Sequence, residues 1–99
     1  MHQLTSTQKR YLRGQGSLIR PNIFVGKNGL AEQVVKAIDE ALDDHELIKV
    51  RFLEFKEEKK NLSADIEKLC NCEMVGMIGH VAVFFRRHSD PEKRKISLQ

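Results

Sequence analysis

Between residues 23 and 44 the sequence changes its period around a pair of glycines. Ile23-Phe24-Val25 is wholly apolar, and Val25-Gly26-Lys27-Asn28-Gly29-Leu30 follows with a G-x-x-G spacing. From there Leu30, Val34, Val35, Ile38 and Leu42 recur at intervals that put them on one helical face. A strand, a tight loop and a helix over 30–44 are therefore predicted in that order. Being apolar at every position, the strand is expected to be buried on both faces. Glycines accept backbone angles that other residues avoid and let another backbone come close. The start of a helix offers unpaired N–H groups and partial positive charge, which suits a phosphate. Lys27 adds a full charge at the loop tip, and Asn28 suits a positive-φ position or a hydrogen bond to a phosphate or 2′-hydroxyl. A lone G-x-x-G is weak, because turns use glycine pairs constantly. Gly26 as a strand end and Gly29 as a helix entry are the plain alternatives.

The flanking segments extend the alternation. Residues 5–14 read as a helix capped by Thr5 or Ser6, with Gln8 close behind and Gly14 and Gly16 as its stop. Arg20-Pro21-Asn22 is a turn. In 47–53 Ile48, Val50 and Phe52 alternate with Lys49 and Arg51, the pattern of a strand with one core face and one cationic face. A third helix is predicted over 57–70, with Leu62, Ala64, Ile66, Leu69 and Cys70 on its apolar side. Met74–Ile78 and Val81–Phe85 form a hairpin turned by Gly79-His80. The result is one α/β domain over 1–99, ordered α-β-α-β-α-β-β, with a mixed four-stranded sheet. Its core is expected over about 4–87. The polar segment 88–99 forms a basic tail that Ile96 and Leu98 could pin down.

Charge is segregated. Residues 1–30 carry Lys9, Arg10, Arg13, Arg20 and Lys27 and no acid. Residues 31–46 carry Glu32, Asp39, Glu40, Asp43, Asp44 and Glu46 against Lys36 alone, and basic residues return with Arg86, Arg87, Lys93, Arg94 and Lys95. Two basic ends around an acidic middle fit a polyanion on one face, and equally a chance distribution in a charge-rich chain. The acids gather at the C-terminal end of their helix, the unfavourable end of its dipole. No apolar run approaches the roughly 18 residues of a membrane span, and the first residues lack a signal-peptide core. A cytoplasmic location is expected, with no membrane partner. Cys70 and Cys72 are too close for an ordinary disulfide and are expected as reduced thiols, Cys70 in the core and Cys72 at a strand edge.

Little supports catalysis. His2, His45, His80 and His88 are scattered, and no serine stands in a nucleophile elbow. Cys70, Cys72 and His80 are too few and wrongly spaced for a zinc site, and there is no dinucleotide or P-loop motif. The expectation is a protein that is not an enzyme, with no cofactor, metal or small-molecule substrate. Phe24, Phe52, Phe55, Phe84 and Phe85 read as core residues, so no aromatic stacking platform is expected.

Several separated motifs resemble one family. They are Leu4-Thr5 through Lys9, Leu12-Arg13-Gly14, Leu18-Ile19-Arg20-Pro21, Val25 to Leu30, His45 to Arg51, Ile78-Gly79 and Arg94 to Leu98. In this order they resemble the bacterial single-domain CRM proteins (chloroplast RNA splicing and ribosome maturation domain), the group typified by YhbY. Two stretches depart from the pattern. Phe84-Phe85-Arg86-Arg87 stands where relatives often have Leu-Tyr-Arg-Pro, and Asn71-Cys72-Glu73 replaces a glycine-containing turn. The resemblance implies a fold similar to the C-terminal domain of translation initiation factor three. It also implies RNA binding through the G-x-x-G loop and a role in assembling the large (50S) ribosomal subunit. By position Gly26, Lys27, Asn28 and Gly29 take the RNA-contact role. Lys9, Arg10, Arg13, Arg20, Lys49, Arg51, Arg86 and Arg87 join them on charge. The partner is then precursor rRNA of the large subunit, with ribosomal proteins besides. A second reading makes the chain an adaptor that binds ribosomal proteins through the acidic helix 30–46.

Overall fold

The computed structural model describes residues 3–98; Met1, His2 and Gln99 of the expected 1–99 domain lie outside the described residues. The first helix, α1 (Ser6–Gly16), is capped by Thr5. The Thr5 hydroxyl accepts from the Gln8 N–H at 3.1 Å, and the Gln8 side chain accepts from the Thr5 N–H at 2.9 Å. Such a box stabilises a helix start by about 1 kcal/mol. Gly14 does not end the helix, as a single interior glycine costs only about 1 kcal/mol. Packing holds the last turn instead: a Cβ on Gly16 would lie 3.1 Å from a Val83 methyl.

Strand β1 (Ile23–Val25) leads through the glycine loop into α2 (Glu32–His45) and then β2 (Leu47–Phe52). A 3-10 turn, Lys56–Glu58, precedes α3 (Lys59–Cys70), and β3 (Glu73–Ile78) and β4 (Val81–Phe85) close the chain's sheet. The strand order is β1-β2-β4-β3. β1 and β2 are parallel, and β4 pairs antiparallel with both β2 and β3. The mixed four-stranded sheet is the one expected, with the last strand of the chain inserted in the middle.

Each sheet face has its own core. On one, Val25, Ile48, Val50, Phe52, Ala82 and Phe84 meet Ile38 and Leu42 of α2 and Ile66 and Cys70 of α3. On the other, Leu12 of α1 packs among Leu47, Val75, Val83 and Phe85, with Ile96 and Leu98 beside them. The residues expected to pin the tail therefore do so. Two expectations fail. The first strand is an edge strand, so only Val25 is fully buried and Phe24 is half exposed. On α3, Ser63 rather than Ala64 or Leu69 faces the core, and Leu69 is 61% exposed. At the end of α3, Asn71 takes the left-handed conformation (φ 50) that the expected glycine would supply, which asparagine tolerates.

Glu46 organises the opposite end of β2. It is fully buried at φ 64, and its carboxylate accepts from the backbone N–H groups of His88 (2.7 Å), Lys95 (2.6 Å) and Ile96 (3.0 Å). These bonds fasten the tail and supply the partners a buried carboxylate needs.

Candidate nucleic-acid interface

The G-x-x-G segment is a closed turn. The Gly29 N–H donates to the Gly26 carbonyl at 3.0 Å, and Lys27 and Asn28 stand exposed at the tip. Positive φ falls on Gly29 (φ 61), not on Asn28. The glycines play different parts. A Cβ on Gly26 would meet nothing within 4 Å, whereas one on Gly29 would lie 3.5 Å from the Phe55 ring in a strained backbone. Gly26 thus leaves room over the backbone, and Gly29 makes the bend. The helix starts at Glu32, two residues later than its spacing predicts, because Leu30 and Ala31 complete the turn. Ala31 at the cap has no side-chain acceptor. Of the first-turn N–H groups, that of Val34 donates to the Ala31 carbonyl at 3.0 Å, and those of Glu32 and Gln33 have no side-chain cap.

Strand pairing gathers further cations at this edge. Parallel pairing brings the ends of β1 and β2 together, and the β3–β4 hairpin joins them where the Phe52 N–H donates to the His80 carbonyl at 2.8 Å. The Lys59 ammonium donates to the Gly79 carbonyl at 2.5 Å and lies 3.2 Å from His80 Nδ1. Desolvation, and then the positive charges of Lys59, Lys56 and Arg51, push the His80 pKa below its ordinary value. Lys56, Lys59 and His80 escaped the sequence reading. They lie far from the loop in sequence, and only β2's two neighbours bring them to it.

The cations singled out by sequence divide into exposed and committed groups. Lys27, Arg10, Arg20, Arg51 and Arg87 are exposed. Arg51 pairs across the strands with Phe24 on the face that α1 only partly covers. Arg87 sits at the opposite end, beyond β4. Lys49 is half-buried and donates to the Ile19 carbonyl at 2.9 Å. Three others have their charged groups engaged within the fold. Lys9 pairs with Glu73 at 3.2 Å, far from the loop. Arg13 donates to the Val75 carbonyl at 2.8 Å and lies over Gly76, where a Cβ would meet its Cδ at 2.5 Å. Arg86 contacts Asp39 at 2.6 Å, Asp43 at 3.0 Å and the Cys70 carbonyl at 2.6 Å. Burial opposes the charge on Arg86, but the two carboxylates raise its pKa overall. They also explain the acids at the end of α2: two of them hold an arginine between α2 and β4.

The aromatic residues bring another correction. Phe52, Phe84 and Phe85 are core, but Phe24 is 50% and Phe55 42% exposed. Phe24 is on the edge strand, and Phe55 follows the end of β2. The thiols are buried, Cys72 included; burial and then the neighbouring Cys70 push the Cys72 pKa up to about 12. Among the described residues no three His, Cys, Asp or Glu side chains come together as a metal site. No helix is long and apolar enough to cross a membrane among those residues.

The comparisons point one way. The model of the CRS1 / YhbY (CRM) domain matches residues 4–86. The probable RNA-binding protein YqeI of Bacillus subtilis is 38% identical over 96 residues, covering 96% of this chain and 98% of that protein. A probable RNA-binding protein of Methanocaldococcus jannaschii is 36% identical over 87 residues, 85% of this chain, and the match spans 64% of that protein's length. The solution structure of a hypothetical protein from Staphylococcus aureus superposes with a TM-score of 0.80 at 34% identity, covering 96% of this chain and all of that one. With a family model matched across both cores and the glycine turn, the chain belongs to the CRS1/YhbY (CRM) domain family.

Proposed function

We propose that this chain is a non-catalytic, cytoplasmic RNA-binding protein that holds rRNA backbone at the Gly26–Gly29 turn and acts in assembly of the large ribosomal subunit. The observation that carries the reading is the turn itself: exposed Lys27 and Asn28, open space over Gly26, and an uncapped helix start directly behind. Arg51 and Lys59 extend positive charge along the same edge. The relatives' RNA-binding names support the RNA partner. The ribosomal role rests on the family resemblance. Phosphate contacts dominate such a surface, so affinity falls steeply with salt and sequence selectivity is modest.

The test is Lys27→Glu combined with Asn28→Glu, both exposed and outside either core. Binding of large-subunit rRNA precursor fragments is expected to weaken at least tenfold while the melting temperature holds, since two attractive or neutral contacts become repulsive. Unchanged affinity rules the turn out. Crosslinking in cells, with sequencing of the bound RNA, tests the ribosomal role. The adaptor reading is weakened by Asp39 and Asp43, which already hold Arg86. It predicts no rRNA binding by the purified chain.

A further inference from the structure

We infer that the groove beside the glycine turn receives an unpaired nucleobase of single-stranded RNA, stacked on Phe55. The inference rests on the proposed RNA contact at the turn and adds the part of the nucleotide that is read there. A groove of about 530 Å³ runs between Lys27 and the 53–58 loop. Its apolar lining is Leu53 and Phe55, 50% and 42% exposed.

The backbone gives an independent sign. Phe55 sits at φ 56, ψ 38, a left-handed conformation that a bulky residue adopts at a cost and that concentrates at functional sites. The strain holds the ring against Gly29, within the turn that Lys27 and Asn28 top. Its polar lining then decides which part of a nucleotide enters. Lys27 and Lys56 line the groove together with Glu54, Glu57 and Glu58. Three carboxylates against two ammonium groups do not favour phosphate inside the groove. They do accept hydrogen bonds from the amino and imino groups of a base edge. Phosphate stays at the turn and the base folds inward, where stacking on an aromatic face tolerates any of the four bases.

The chain has no tryptophan, so Phe55→Trp installs a single fluorescent reporter in the groove. A short single-stranded RNA is expected to quench it, and an abasic strand of the same length is not. Phe55→Gly removes the ring and accepts the positive φ, so it folds. It is expected to lower affinity for the base-bearing strand roughly tenfold and to leave the abasic strand and duplex RNA unaffected. Leu69→Ala, on the exposed side of α3, is the control and changes neither. Equal quenching by both strands, or a Phe55→Gly loss shared by the abasic strand, overturns the inference. The turn reading survives that result if Lys27→Glu with Asn28→Glu still weakens both strands. Wild-type protein that binds no RNA overturns both.

Discussion

Glu46 and Phe55 stand outside the two ends of β2, and both hold a positive φ that their side chains disfavour. Glu46 is buried, and its surroundings offset the strain. Its N–H donates to the Leu42 carbonyl, its carbonyl accepts from Arg86, and its carboxylate takes the tail's N–H groups. Phe55 has no comparable compensation among the described residues. Its carbonyl accepts from the Glu58 N–H, and its ring lies half in solvent against Gly29. Similar backbone strain thus serves a joint of the fold at one end, while at the other it displays an apolar ring beside the cations.

The comparison breaks most visibly at Glu46. Glu46→Ala strands several backbone N–H groups under the tail and is expected to cost about 3 kcal/mol. Melting should fall by more than 10 °C for a domain this small, while RNA affinity measured below the transition stays within about twofold, because ΔΔG values at distant sites are nearly independent. A matching loss of affinity would mean that the two ends are not separate. Next comes Arg51→Ala, which removes an exposed cation from the proposed edge and leaves the cores intact. It should weaken RNA binding several-fold and reduce the slope of log affinity against log salt by about 0.7. Arg87→Ala, at the far end, should do neither, and equal effects would spread the interface over the whole molecule. A smaller effect is expected for the stability of Phe55→Gly. Relief of the left-handed strain offsets the lost ring contacts, so chemical denaturation should place it within about 1 kcal/mol of the wild type. A larger loss would make Phe55 a structural residue like Glu46.

The smallest effect is on pH dependence. Desolvation, and after it the neighbouring cations Lys59, Lys56 and Arg51, hold the His80 pKa down in the free protein. RNA phosphates would offset that field, so the pKa rises on binding and the complex takes up a proton. Affinity therefore gains as pH falls: the gain is complete below the free-state pKa and is lost as pH rises through the bound-state pKa. One proton limits it to less than tenfold per pH unit. Titration by fluorescence anisotropy from pH 7.5 to 5.5 measures it, and His80→Gln should flatten the curve. A slope that survives His80→Gln assigns the dependence elsewhere.

Much of the fold was legible in local pattern. Apolar period marked α2 and β2, glycine marked both turns, and Thr5 with Gln8 marked the start of α1, because periodicity and capping involve residues a few positions apart. The glycine turn was legible for the same reason. Which apolar residues stay exposed was not. Phe24 looks like core until β1 proves to be an edge strand, and Phe55 until its loop turns left-handed. The committed cations were also illegible: Lys9 reaches Glu73 and Arg13 the Val75 carbonyl across the fold, and Arg86 reaches back 47 residues to Asp39.

The sequence alone thus determined the alternation of strands and helices, the glycine turn and the family, since each is written in short-range spacing. Tertiary structure alone decided that β4 lies between β2 and β3, that Glu46 binds the tail, that Phe55 and Lys56 lie beside the turn, and that Lys59 meets His80 at the same end of the sheet. Those outcomes depend on which strands pair and on what that pairing leaves in water, and no local pattern encodes either.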